Sequence, residues 1–213
     1  MEINFYYLFC IFIVTLGSMI LHELAHGVVA LWQGDRTAKE AGRLSLNPIK
    51  HIDPVMTILV PVILAIMGGP IFGGAKPVPI NTRNLKHREW SFALVAIAGP
   101  LTNFILAFIF FVLLKASLSS TGDMNWLATL SYAGLSVNLG FMLFNLIPIP
   151  PLDGSRVLYA LAPDFVRDFM KKIESFGFIV IYLLILVGGT ILGKYMSGAS
   201  NAIISFFEMI CWW

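Results

Sequence analysis

The sequence predicts an all-α polytopic membrane protein of about five to six transmembrane helices, with a re-entrant segment and short membrane-associated β-strands. Three observations carry that prediction. Apolar residues fill 58% of the 213 positions and charged residues only 12%, about half the charged share of a soluble domain. Mean hydropathy is +0.83. The apolar residues lie in runs near the roughly 20 needed to cross about 30 Å of hydrocarbon, with the basic residues between the runs. The length suits one membrane-embedded domain over residues 1–213. A net charge of +2, with the basic residues clustered in connecting segments, is a membrane pattern and not a nucleic-acid one. The expected surroundings are the lipid bilayer and other membrane proteins.

Taken in order, residues 4–32 form the first run. It has Glu2 and no basic residue before it and no small-residue cleavage site after it, so it reads as a retained span and not as a signal peptide. Further spans are expected at 91–115, 127–147, 175–193 and 197–213, the last with Trp212 and Trp213 at the membrane interface. Run 54–74 is broken by Pro54, Pro61, Gly68-Gly69-Pro70 and Gly73-Gly74, which suits a hairpin that dips in and returns. Segments 42–47 and 76–82 alternate polar and apolar residues and read as short strands, with Pro77 and Pro79 confining the second to an edge. An edge of that kind could pair with an unwound peptide by strand addition, or only close that face of the protein. Cys10 and Cys211 sit in apolar runs and read as buried free thiols.

The residues that point to chemistry begin at His22-Glu23-Leu24-Ala25-His26. Positions i and i+4 of a helix share one face, so both imidazoles can hold a single ion. Glu23, about 100° round the helix, is placed to take a proton from metal-activated water without being a ligand. Ionisable groups at membrane depth are costly, which argues against an idle hydrogen-bonded cluster. A catalytic zinc needs a third protein ligand. His51 and His87 lie in charged segments and read as solvated histidines. Among the carboxylates, Asp153 and Glu208 lie beside apolar runs; Glu208 suits snorkelling or a single hydrogen bond. Asp153 follows Pro148, Pro150 and Pro151 and precedes Gly154, in irregular backbone of the kind that surrounds a cavity at this depth. The competing reading makes Asp153 the cap of a helix starting near Ser155.

Together, HELAH in the first span, Ala98-Gly99-Pro100-Leu101-Thr102-Asn103, and the segment from Asn145 through Pro148 and Pro151 to Asp153-Gly154 resemble the site-2 protease family. Gly42 to Pro54 and Ala75 to Pro79 resemble its compact branch, which lacks PDZ and CBS domains. The resemblance covers about residues 15–160. It implies an intramembrane zinc metalloprotease that hydrolyses membrane-spanning or membrane-associated protein substrates, as in regulated intramembrane proteolysis. It implies one catalytic Zn2+ held by His22, His26 and Asp153, with Glu23 as general base. It further implies substrate-positioning or transition-state-stabilising roles for Asn145 and Asn103. Two other classes compete. A membrane metal-ion transporter would use the same ligands without needing Glu23, and an inactive relative would only bind membrane helices.

Topology follows from two constraints. If 54–74 crossed fully, Asp153 would arrive at the face opposite the histidines; if it returns, Asp153 arrives beside them. The returning path also gathers twelve of the 14 Lys and Arg residues on one side, leaving Lys115 and Lys194 on the other. The positive-inside rule then expects a multi-pass protein of the cell membrane with its N-terminus outside, its C-terminus inside and its metal toward the cytosolic half.

Overall fold

A computed structural model describes residues 5–66, 73–121 and 123–211. Four helices among them are long and apolar enough to cross a membrane. They are α1 (Phe5–Trp32), α4 (Arg88–Thr121), α5 (Trp126–Asn145) and α8 (Gly177–Ile210). The short helices are α2 (Thr37–Glu40), α3 (Val60–Ile66), α6 (Gly154–Leu161) and α7 (Asp164–Glu174).

Helices α1, α4 and α5 pack on one another, and α6 leans on α4. Small residues on the facing surfaces allow this, as expected where lipid gives helices no hydrophobic reason to associate. Ala30, Ala93, Ala96, Ala107, Ala128 and Ala133 are all buried. A Cβ on Gly134 of α5 would fall 2.3 Å from the Phe110 ring of α4. The Asn125 side chain caps α5 by accepting from the Ala128 amide at 2.8 Å. At the other end, Pro148, Pro150 and Pro151 prevent the helix from continuing.

The re-entrant expectation is met at both ends of its segment. Asp53 accepts from the Val55 and Met56 amides at 2.9 and 3.0 Å and starts a π-helical stretch, Pro54–Leu59, that leads into α3. By Gly74 the chain is back where it started. The Gly74 amide donates to Met56 O at 3.1 Å, and Thr57 Oγ1 donates to Gly74 O at 2.7 Å. The Gly68-Gly69-Pro70 cluster lies outside the described residues, as do Trp212 and Trp213.

Three expectations are corrected. The runs expected at 175–193 and 197–213 are joined, over Gly177–Ile210, in one unbroken helix, α8, so the described residues hold four membrane-length helices where five runs were counted. Glycines at 188, 189, 193 and 198 weaken a helix, but without a proline none of them ends it. The last described residue, Cys211, therefore lies at the same end of the bundle as the start of α1. There Tyr6 of α1 donates to Trp126 O of α5, and Lys115 of α4 donates to Cys211 O. Phe207 of α8, fully buried, sits among Phe104, Phe108 and Phe111 of α4 at centroid distances of 5.3, 5.0 and 5.5 Å. Finally, residues 43–47 and 73–81 form no strand; the described residues contain none. The Lys76, Val78 and Asn81 amides donate to His51 O, Glu23 Oε2 and Asp35 Oδ2, so these donors of the expected edge are spent inside the protein.

Candidate metal centre

The site lies where the C-terminal half of α1 meets α4 and the loop leaving α5. One helical turn separates His22 from His26, and their rings stand edge to face with centroids 4.6 Å apart. The two Nε2 atoms are 3.0 Å apart. Asp153 Oδ2 lies 3.1 Å from one and 3.4 Å from the other. Both histidines are buried, at 7% exposure each.

The other ring nitrogens set the tautomers. His22 Nδ1 is 2.5 Å from Asn103 Oδ1 of α4, and His26 Nδ1 is 2.7 Å from Val95 O. Both acceptors are oxygens, so each Nδ1 carries the proton and each Nε2 presents a lone pair. Asn103 is itself held. Its Nδ2 donates to Asn138 Oδ1 of α5 at 2.9 Å, and Asn138 Nδ2 donates to Gly134 O at 2.8 Å. Asn103 and Asn138 are fully buried.

Two imidazole nitrogens and a carboxylate oxygen thus converge on one point, an arrangement that could hold a metal ion. Asp153 Oδ2 is buried and has no hydrogen-bond partner. The space is kept open by Gly99 of α4, where a Cβ would fall 2.5 Å from His26 Nε2 and 2.6 Å from His22 Nε2. His22, His26 and Asp153 form the metal-competent group found among the described residues. The donor set, two imidazoles and one carboxylate with no thiolate, fits a catalytic zinc with an open position.

The loop from α5 to α6 delivers Asp153. Gly154 is required there because a Cβ would sit 2.2 Å from Leu146 O. Asp153 occupies the position before α6, yet its side chain caps no amide of that helix, which decides against the capping reading. Ser155 Oγ instead donates to Leu152 O at 2.6 Å.

Of the remaining candidates, Glu23 and Asn145 are held by other contacts. Glu23 is half-buried, with Oε2 accepting from the Val78 amide at 2.8 Å. Asn145 ends α5 and donates to Phe141 O at 3.0 Å within its own helix. Glu208 is exposed on α8 and His87 is exposed beside α4. His51 departs from expectation: it is fully buried, with Nε2 2.7 Å from Ser45 O, because the loop before Pro54 folds over it. Asn138, Gly99 and Val78 were not singled out from the sequence. An asparagine in a span was the available signal for Asn138; Gly99 stood in a noted motif without a role.

Comparison with known proteins shows the family. The model of the family described as Peptidase family M50 matches residues 10–121 and 115–188. A Bacillus subtilis protein named "Putative zinc metalloprotease YwhC" is 42% identical over 207 residues, covering 93% of this chain and 90% of its own. Rip2 of Mycolicibacterium smegmatis, given the same kind of name, is 27% identical over 92% of this chain and 70% of its own. The similarly named MJ0611 of Methanocaldococcus jannaschii is 34% identical over 70% of each chain. No solved structure matches the chain significantly.

Proposed function

The chain belongs to peptidase family M50, and on that premise we propose that this membrane metallopeptidase cuts membrane-spanning or membrane-associated proteins within or beside the bilayer. The observation that carries the reading is the convergence of His22 Nε2, His26 Nε2 and the unpartnered Asp153 Oδ2 on one buried point between membrane-length helices. These three residues would hold one zinc ion, which when bound supplies a Lewis acid that acidifies water and polarises a peptide carbonyl.

The protein's own part is to hold and move protons. Glu23 accepts the proton of the attacking water and returns it to the leaving amine. His22 and His26 keep their Nε2 atoms free because Asn103 and Val95 O occupy their Nδ1 protons. Asn145 opens the loop that carries Asp153 and is assigned to the substrate side of the site. A helical substrate has its carbonyls paired, so it must unwind before it can be cut.

The proposed setting is the cell membrane, with the site toward the cytosol. Support comes from the segments 33–53, 75–90 and 148–174, which carry twelve of the 14 basic residues and all connect the same end of the bundle. The test is cleavage of a single-span reporter in liposomes by wild type and Glu23→Gln, with zinc measured in both. Loss of cleavage with zinc retained supports the proposal. Zinc binding by both without cleavage of several reporters would sink it and direct attention to ion flux.

A further inference from the structure

The segment between the re-entrant hairpin and α4 runs across the Glu23 face of α1. Gly27, one turn beyond Glu23 on that face, makes room for it. A Cβ there would meet Leu44 Cδ2 at 2.5 Å and Val78 Cγ1 at 3.1 Å. Val78 is 5% exposed, and its amide donates to Glu23 Oε2 at 2.8 Å. Pro77 and Pro79 have no N–H, so Val78 carries the only amide proton between Lys76 and Ile80.

Both ends of this strap are tied to the loop that follows α1. On one side, the Lys76 amide donates to His51 O at 2.9 Å and Arg43 Nη2 donates to Lys76 O at 2.7 Å. On the other, Asp35 accepts from the Asn81 amide at 2.6 Å and from Asn84 Nδ2 at 3.0 Å. The Asp35 amide donates to Ala30 O at 2.9 Å, which anchors the loop to α1 itself. The Val78 amide is therefore held in register with the helix that carries Glu23.

We propose that the Val78 amide is a positioning group for the general base. It holds Oε2 of Glu23 and leaves Oε1 free to take the proton of the attacking water. A carboxylate that would otherwise rotate is thereby presented in one orientation, with the flanking prolines keeping other donors away. This inference rests on the metallopeptidase reading of the site.

Val78→Pro removes the donor with little change of backbone, because Val78 precedes Pro79 and is already restricted to extended conformations. Val78→Ala keeps the donor and serves as control. In liposomes, Val78→Pro lowers kcat about 10- to 100-fold, the range for one hydrogen bond to a charged group, while KM and bound zinc stay at wild-type levels. Val78→Ala stays within about threefold of wild type. Hydrogen exchange gives an independent readout, since Val78 is resolved by its proline neighbours: Glu23→Ala accelerates exchange at Val78 and leaves Lys76 protected. Undiminished kcat in Val78→Pro overturns the proposal, as does exchange at Val78 that ignores Glu23→Ala. If the wild type cuts no reporter but Glu23→Ala still releases Val78, the peptidase reading fails and the clamp stands.

Discussion

His22 depends on two asparagines from two other helices, and that dependence is measurable. Metal-binding histidines owe both tautomer and orientation to the partner of their second nitrogen. Asn103→Ala removes that partner and leaves Asn138 Oδ1 without its donor, so zinc affinity is expected to fall about 10- to 100-fold in a competition titration. Gly99→Ala is expected to be harsher at the site and mild elsewhere. Its methyl would stand 2.5 Å from His26 Nε2, so purified protein should fold and lose stoichiometric zinc. Wild-type zinc in Gly99→Ala would contradict the placement of the ion. At this scale His22, Glu23 and His26 were legible because all three belong to one helix, whose period alone arranges them. The tie from His22 through Asn103 to Asn138 was not, because it joins residues 81 and 35 positions apart, and spacing along the chain carries no record of which helices touch.

The elements that matter most are the turns that bring distant side chains to α1. Between α5 and α6, Gly154→Ala would press a methyl against Leu146 O, forcing the loop open and carrying Asp153 away from the histidines. The expected cost is about 1–3 kcal/mol of stability together with weakened zinc binding, read by thermal unfolding in detergent and metal analysis. The loop after α1 depends on Asp35, which is fully buried. Burial pushes its carboxyl up, but hydrogen bonds from Thr37, Asn84 and the Asn81 amide outweigh that and hold it below the usual carboxylate range. A lowered folded-state value means the contribution is complete above the ordinary aspartate range and is lost as pH falls through the folded value. Asp35→Ala should therefore destabilise the protein at neutral pH by about 1.5–3 kcal/mol, with the difference from wild type shrinking in acid. A difference that grows in acid would refute the assignment. Element existence was legible wherever an apolar run ended in prolines or a cap, as at Asn145 and Asp53. The strands expected at 42–47 and 76–82 do not form among the described residues, where the polar–apolar alternation reflects one-sided packing on α1, through Leu44 and Val78, without any ladder.

At the scale of the whole molecule, the four membrane-length helices among the described residues place Phe5 and Cys211, the first and last described residues, at the end away from the metal ligands. The basic connections lie at the other end. Cysteines substituted at Arg83 and Lys86 should label only from the cytosolic side, whereas tags at both termini should be reached from outside. A C-terminal tag protected from outside would restore the two separate spans and break α8. The re-entrant path was legible because Asp153 had to reach the histidines and the charges had to sort to one side. The continuity of α8 was not, because Lys194 and the glycines around it resemble a connection although none of them stops a helix. The account as a whole stands on the three ligands. X-ray absorption at the zinc edge, on protein purified with its metal, tests them directly. Two imidazole nitrogens and oxygen ligands at about 2.0–2.2 Å, with one imidazole lost in His26→Ala, are predicted. A sulfur-containing or zinc-free spectrum from active wild-type protein would contradict the metal centre described here.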